Sequence, residues 1–114
     1  MARVLLVDDD SEILEVLGEW LSGRGHAVRL LDDGHRAPEE AHRFAPDVVI
    51  LDGLLRGTTG PAVAQRLRES GHRRGIIYLS GLPRGELPFG VPVLEKPIDL
   101  DVLERTIRRV AAAA

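Results

Sequence analysis

Short apolar runs alternate with helical patterns along this chain, and that alternation limits the folds open to it. The apolar runs cover residues 4–7, 27–31, 47–51, 75–79 and 91–94, and the helical patterns cover 11–21, 38–44, 61–70 and 99–110. Strands that alternate with helices favour an open parallel sheet with helices on both faces. The third run, Val48-Val49-Ile50-Leu51, is apolar at every position, as expected for a strand that is covered on both sides.

Length and charge narrow the functional classes. The 114 residues are predicted to form one domain, spanning 1–114, and the net charge of −3 implies no basic face for direct nucleic-acid binding. The chain has no cysteine, which excludes disulfides and thiolate metal sites. No apolar run approaches the roughly 20 residues that span a bilayer. The first residues are too short for a secretory signal, so we expect a cytoplasmic protein without a membrane partner.

Polar residues follow four of the five predicted strands. Asp8 and Asp9 follow the first strand, Asp52 the third, Ser80 the fourth and Lys96 the fifth. In an open parallel sheet, ligands bind at the carboxyl ends of the strands, near the point where the strand order reverses. Close carboxylates repel one another and favour a bound cation, and oxygen-only ligands indicate a hard metal such as Mg²⁺.

The same edge carries groups suited to phosphoryl transfer. A carboxylate can accept a phosphoryl group covalently, and the reaction needs mainly positioning and charge neutralisation. Lys96 is the only lysine beside fourteen arginines, and we expect that a forked guanidinium would not fit its place. Its ammonium would supply positive charge to a transferred phosphoryl group, and the Ser80 hydroxyl would bind one of the phosphoryl oxygens.

Four segments, taken together and in order, resemble the signatures of bacterial receiver domains of response regulators. They are Leu5-Leu6-Val7-Asp8-Asp9-Asp10, Val48-Val49-Ile50-Leu51-Asp52, Ile77-Tyr78-Leu79-Ser80-Gly81 and Leu94-Glu95-Lys96-Pro97, and Gly60 also fits. The resemblance covers nearly the whole chain. It implies a CheY-like, flavodoxin-like fold, with a doubly wound five-stranded parallel sheet in the order 2-1-3-4-5.

The resemblance also implies a role for each site residue. Asp52 would accept the phosphoryl group and contact Mg²⁺. Asp9 would bind the metal directly, Asp8 mainly through a metal-bound water, and Leu54 through its backbone carbonyl.

Two further roles concern the phosphoryl group itself. Ser80 would bind a phosphoryl oxygen and move on phosphorylation, and Lys96 would pair with Asp52 or its phosphate. The Lys96–Pro97 bond is expected to be cis.

The implied function is a phosphoryl-accepting switch of a two-component system. The donor would be a sensor histidine kinase or a histidine phosphotransfer protein, and the output would pass to a downstream protein target. Such a chain promotes its own phosphorylation and dephosphorylation but carries no output enzyme domain. The alternative is a receiver-fold interaction module that acts without phosphorylation, because a fold alone does not prove activity. The kinase, the pathway, the target, the oligomeric state and the phosphoryl lifetime are not indicated by the sequence.

Two features depart from the family pattern. Residues 81–90 contain three glycines and two prolines, so the family's fourth helix is predicted to be reduced or replaced by a loop. Val93 stands where the family usually has an aromatic residue that swings inward on activation, which puts the usual coupling to Ser80 in doubt.

The remaining polar residues have structural explanations. Asp10 and Asp99 are predicted helix N-caps. His26, His35, His42 and His72 lack metal-like spacing and are expected at the surface. Trp20 is expected to pack on a helix face.

Overall fold

A parallel β-sheet lies at the centre of the computed structural model, which describes residues 1–81 and 91–113. Its five strands are β1 (Arg3–Val7), β2 (Ala27–Leu31), β3 (Val48–Asp52), β6 (Gly75–Ser80) and β7 (Val93–Glu95). Two short strands, β4 (Leu54–Leu55) and β5 (Thr58–Thr59), form an antiparallel hairpin after β3. The helices are α1 (Ser11–Gly23), α2 (Ala37–Phe44), α3 (Gly60–Glu69) and α4 (Leu100–Ala112), and a 3₁₀ turn, Gly34–Arg36, precedes α2.

The sheet has the predicted flavodoxin-like topology. Its order is β2-β1-β3-β6-β7 with every neighbouring pair parallel, which confirms the order 2-1-3-4-5 once the hairpin strands are set aside. The strand order reverses between β1 and β3, which lie side by side with Val7 opposite Leu51. Ligands in such sheets bind at this reversal, so the two strands that end in acids flank the expected site.

Two hydrophobic clusters cover the two faces of the sheet. Alternate residues of each central strand point to opposite faces, so Leu5 and Val7 join one cluster while Val4 and Leu6 join the other. Every residue of β3 is buried, as its unbroken apolar run predicted. Trp20 packs partly buried against the cluster under α1 and α4, in agreement with its predicted role.

The predicted helix caps are confirmed, whereas the last strand begins later than predicted. The Asp10 side chain accepts the N–H groups of Glu12 and Ile13, and Asp99 caps α4 in the same way. The last strand was expected from residue 91 but begins at Val93. The Pro92 carbonyl still accepts the Tyr78 N–H at 2.9 Å, but proline has no N–H to donate, so the regular ladder starts one residue later.

Of the two predicted departures from the family pattern, only the one at Val93 lies within the described residues. The reduced fourth helix of the family pattern falls on residues 82–90, which lie outside the described residues, so it remains a prediction. Val93 is described: it is half-buried and packs against the core cluster that contains Tyr78. Within residues 1–81 and 91–113, no helix is both long enough and apolar enough to cross a bilayer.

The expectation that all four histidines lie at the surface is wrong for His26, which is 6% exposed; His72 is half-buried. The backbone N–H of Ala2 donates to His26 Nδ1 at 3.0 Å, so the ring proton belongs on Nε2, which lies 2.7 Å from Glu104 Oε1. Arg108 Nε donates to the other Glu104 oxygen at 2.6 Å. Burial raises the pKa of Glu104, but the hydrogen bonds from His26 and Arg108 outweigh it and leave that pKa below its ordinary value.

Removing the Glu104 carboxylate should destabilise the fold. Glu104→Ala leaves the buried His26 Nε2–H without an acceptor, and we expect the free energy of unfolding to fall by about 1–3 kcal/mol. Glu104→Gln keeps an acceptor oxygen and should lose clearly less. Urea unfolding at neutral pH measures both, with Glu69→Ala on the exposed side of α3 as the control. An alanine variant as stable as that control would contradict a structural role for this network.

Candidate functional site

Three carboxylates meet at the carboxyl edge of the sheet because β1 and β3 run in register. Val7 lies opposite Leu51, so the next residues, Asp8 and Asp52, leave the sheet side by side, and Asp9 follows directly. One carboxylate oxygen of each acid lies within 4.8 Å of the other two. The structure therefore brings together the three acids that the sequence predicted as metal ligands.

Asp8 is the most deeply buried of the three acids, with 1% of its surface exposed. Its Oδ1 accepts the Asp10 N–H at 2.8 Å, whereas Oδ2 is buried without a hydrogen-bond partner among the described residues. Lys96 Nζ lies 3.9 Å from that oxygen, within ion-pair range but too far for a hydrogen bond. Burial, with added repulsion from Asp52 and Asp9, raises the pKa of Asp8 from 3.8 to about 6.

Within the described residues, one cationic side chain lies within hydrogen-bond range of this cluster, and it contacts Asp52. Lys96 Nζ donates to Asp52 Oδ2 at 3.2 Å, and the Leu54 N–H reaches Oδ1 at 3.4 Å. Within the described residues, one ammonium thus lies in ion-pair range of Asp8 and Asp52, and one buried carboxylate oxygen has no donor. Hard oxygen donors with excess negative charge fit a divalent cation such as Mg²⁺.

Ser80 ends β6 at the same edge, 1% exposed. Asp52 pairs with Leu79 in the sheet, and the Ser80 carbonyl accepts the Lys96 N–H at 2.9 Å, so serine, lysine and aspartate come from three adjoining strands. A side chain at Gly53 would place its Cβ 3.0 Å from Ser80 Oγ. The serine hydroxyl therefore lies against the chain segment that leaves Asp52.

Two glycines shape the loop after Asp52. A Cβ at Gly60 would lie 2.5 Å from the Asp52 backbone oxygen, a contact that the backbone cannot relieve, and the Gly60 N–H donates to Gly53 O at 3.0 Å. The sequence comparison with the family singled out Gly60 but not Gly53. The only sequence signal for Gly53 was its place directly after Asp52.

Leu54 lies two residues after Asp52, in the first strand of the hairpin, and its side chain is 56% exposed. The role of its carbonyl remains a prediction. The Lys96–Pro97 bond is cis, as expected.

Comparisons with known proteins find response regulators and their receiver domains. The model of the family described as "Response regulator receiver domain" matches residues 4–108. The response regulator MprA of Mycobacterium leprae (strain TN) is 37% identical over 93% of this chain and 49% of its own length. The receiver domain of the Francisella response regulator 1452 superposes with a TM-score of 0.89 at 23% identity, covering 99% of this chain and 98% of that one.

A further solved structure is the response regulator TrrA of Thermotoga maritima in complex with Mg(2+)-BeF. It has a TM-score of 0.86 and 28% identity, and the match covers 96% of this chain and 99% of TrrA. The chain spans about half the length, or less, of the curated relatives that it matches.

The buried charge of Asp8 predicts a pH-dependent stability without metal. Above about pH 6, Asp8 is ionised in both states but desolvated only in the folded one, which costs on the order of 3 kcal/mol for a pKa raised from 3.8 to about 6. Asp8→Asn removes that charge, so in EDTA at pH 8 the variant should unfold at higher urea, with a gain of about 1–3 kcal/mol.

The direction in which stability changes with pH follows from the raised pKa of Asp8. Well below the ordinary pKa of 3.8 the carboxyl is protonated in folded and unfolded states alike, so the two proteins should converge there. Asp32→Asn, at an exposed position after β2, serves as the control and should change little. A variant less stable than the parent protein at pH 8 would show that the Asp8 charge does not destabilise the metal-free fold.

Proposed function

We infer the function from one premise: this chain belongs to the response regulator receiver domain family. Receiver domains act in two-component signalling, and we propose that this one accepts a phosphoryl group on Asp52. The observation that carries the proposal is the meeting of three carboxylates with the only lysine of the chain where the strand order reverses. We further propose that residues 1–114 work as a single receiver unit.

The proposed reaction is an in-line displacement at phosphorus. A carboxylate oxygen of Asp52 forms the new P–O bond while the P–N bond to a donor histidine breaks, and the electron pair leaves with the imidazole. Lys96, already 3.2 Å from Asp52, offers its ammonium to the transferred group. Ser80, at the end of the neighbouring strand, would donate its hydroxyl to a phosphoryl oxygen.

The donor set supports a role for Mg²⁺. We propose that Asp8, Asp9, Asp52 and the Leu54 carbonyl hold the ion, with Asp9 in direct contact and Asp8 acting mainly through water. The ion, when bound, would neutralise negative charge on the acids and the phosphoryl oxygens. Two features of the described residues favour this assignment: the buried Asp8 oxygen has no hydrogen-bond partner there, and the acids at the site outnumber the cations. TrrA, with the same fold, was solved with Mg(2+)-BeF.

The phosphodonor is proposed to be a histidine kinase or a histidine phosphotransfer protein. An apolar groove of about 340 Å³ runs between α1 and the segment after Lys96, and Lys96 itself lines one end of it. Ile13, Val16 and Ile98 contribute to its walls, and Val16 is 61% exposed. A donor that seats an apolar surface there would lie beside Asp52, as transfer between two side chains requires. The phosphorylated chain would then signal to a downstream protein target.

Phosphorylation of Asp52 can be tested with a small donor. The protein is incubated with acetyl phosphate and Mg²⁺, and intact-mass measurement should show a gain of one phosphoryl group. Asp52→Asn should abolish the gain, and EDTA should suppress it. Asp10→Asn is the matched control, because asparagine also caps a helix and Asp10 lies outside the cluster, so uptake should persist.

The other outcomes discriminate among functions. A parent protein that takes up no phosphoryl group would favour the phosphorylation-independent interaction module. Continuous release of phosphate with turnover would indicate a hydrolase instead.

Docking of the protein donor makes a separate prediction. Val16→Glu places a charge in the apolar groove and should slow phosphotransfer from a phosphohistidine protein that serves the parent chain by at least roughly tenfold. Phosphorylation by acetyl phosphate should stay within about twofold, because the acids and Lys96 are unchanged. Val16→Ile keeps the groove apolar and is the control. Equal slowing with both donors would mean that the substitution disturbs the site and not the docking.

A further inference from the structure

A second groove lies on the other flank of α1, between this helix and strand β2. It holds about 740 Å³, and its floor is formed by Leu14, Gly18, Val28 and Leu30. None of these residues belongs to the acid cluster or to the donor groove described above. The phosphorylation chemistry therefore gives this groove no role.

The floor exposes apolar surface at the edge of the sheet. In the part of the chain that the structure describes, strand β2 pairs with β1 alone, and Leu30 on this edge strand is 43% exposed. A Cβ at position 18 would come within 2.9 Å of Leu30 Cδ2, so the glycine lets the leucine lie directly against the helix. Exposed apolar residues on an edge strand promote unwanted association and are usually covered or replaced by charges. An uncovered floor is thus a feature that a binding partner would explain.

The rim of the groove is acidic. Glu15 and Glu19 stand one turn apart on α1, and Asp32 follows β2. Like charges at this helical spacing weaken the helix slightly. None of the three forms an ion pair within residues 1–81 and 91–113, and no basic residue of that part of the chain lines the groove. The negative charge along both sides of the floor is therefore not neutralised by the described residues themselves.

We propose that this groove is a docking site for a positively charged amphipathic helix of a partner protein. The apolar side of such a helix would cover Val28 and Leu30, and its lysines or arginines would face Glu15, Glu19 and Asp32. The groove extends along α1 from Ser11 to Ser22. At 1.5 Å per residue this is roughly 16 Å, which matches a helix of about three turns.

A second copy of this chain is a poorer occupant. Its most basic helical surface in the described residues is on α4, where Arg105, Arg108 and Arg109 are exposed. The large apolar side chains that are exposed in the described residues are Met1, Val16, Leu30 and Leu54, and none lies on α4. That surface could match the acidic rim but could not fill the apolar floor. Charge and hydrophobicity together favour a different protein.

The probe for the test is a synthetic peptide of about 14 residues with leucines at helical spacing and lysines elsewhere. Added to the full chain with Mg²⁺, it should bind saturably and shift the methyl NMR signals of Val28 and Leu30. Glu15→Lys combined with Glu19→Lys should weaken binding roughly tenfold, and Leu30→Ala about fivefold. Glu69→Lys, a charge reversal on the exposed side of α3, should leave the affinity unchanged.

Three results with the parent protein would overturn the proposal. One is the absence of saturable binding, or shifts that map away from the groove. Another is equal binding by a peptide with a central proline, which cannot form the helix. The third is concentration-dependent shifts at Val28 and Leu30 without any peptide, because these would identify a second copy as the occupant.

Two controls separate this proposal from other effects. Urea unfolding of the double variant should match that of the parent protein, which shows that the fold is kept. Asp52→Asn should bind the peptide as the parent chain does, so this docking site stands or falls independently of phosphorylation. Loss of binding in Asp52→Asn would instead place the peptide in the acid pocket and refute the groove assignment.

Discussion

Repulsion among three carboxylates at one end of the sheet is the constraint on which the rest of this structure depends. Asp8, Asp9 and Asp52 converge within 4.8 Å, although only Lys96 faces them with positive charge among the described residues. The fold must therefore supply the energy that holds them together. It does so through β1 and β3, whose residues are buried almost throughout and whose parallel pairing leaves the acids no other direction. A divalent cation held among the three acids would relieve this repulsion.

Main-chain contacts set the space around Asp52 at the same edge of the sheet. Glycines at positions 53 and 60 let the loop fold back against Asp52 and leave the Ser80 hydroxyl room beside it. The backbone bond between Lys96 and Ser80 ties β7 to β6, which places the ammonium by means of strand pairing. Because these constraints come from main-chain geometry, the side chains of Leu54 and Arg56 are free to vary without moving the cluster.

Much of this arrangement could be predicted from the sequence because it rests on local signals. Apolar runs, helical spacing and capping aspartates are short-range features, and parallel strands necessarily bring their carboxyl ends together. The burial of His26 could not be predicted in this way. It depends on Glu104, which lies 78 residues further along the chain, and no local sequence pattern predicts so distant a partner. The close approach of Ser80 to position 53 was missed for the same reason, since the two segments are adjacent only after folding.

Helix α1 links the site to the surface on two flanks. Successive residues of an α-helix are rotated by about 100°, which places Ile13 and Val16 on the flank towards Lys96, and Glu15 and Gly18 on the flank towards β2. Two partners that occupy the two grooves would therefore not compete for the same side chains. Any coupling between the two grooves would have to pass through α1 itself, which Asp10 anchors beside Asp8. Because α1 is capped next to the acid cluster and has a groove on each flank, the two proposed partners could bind to the same helix without overlapping.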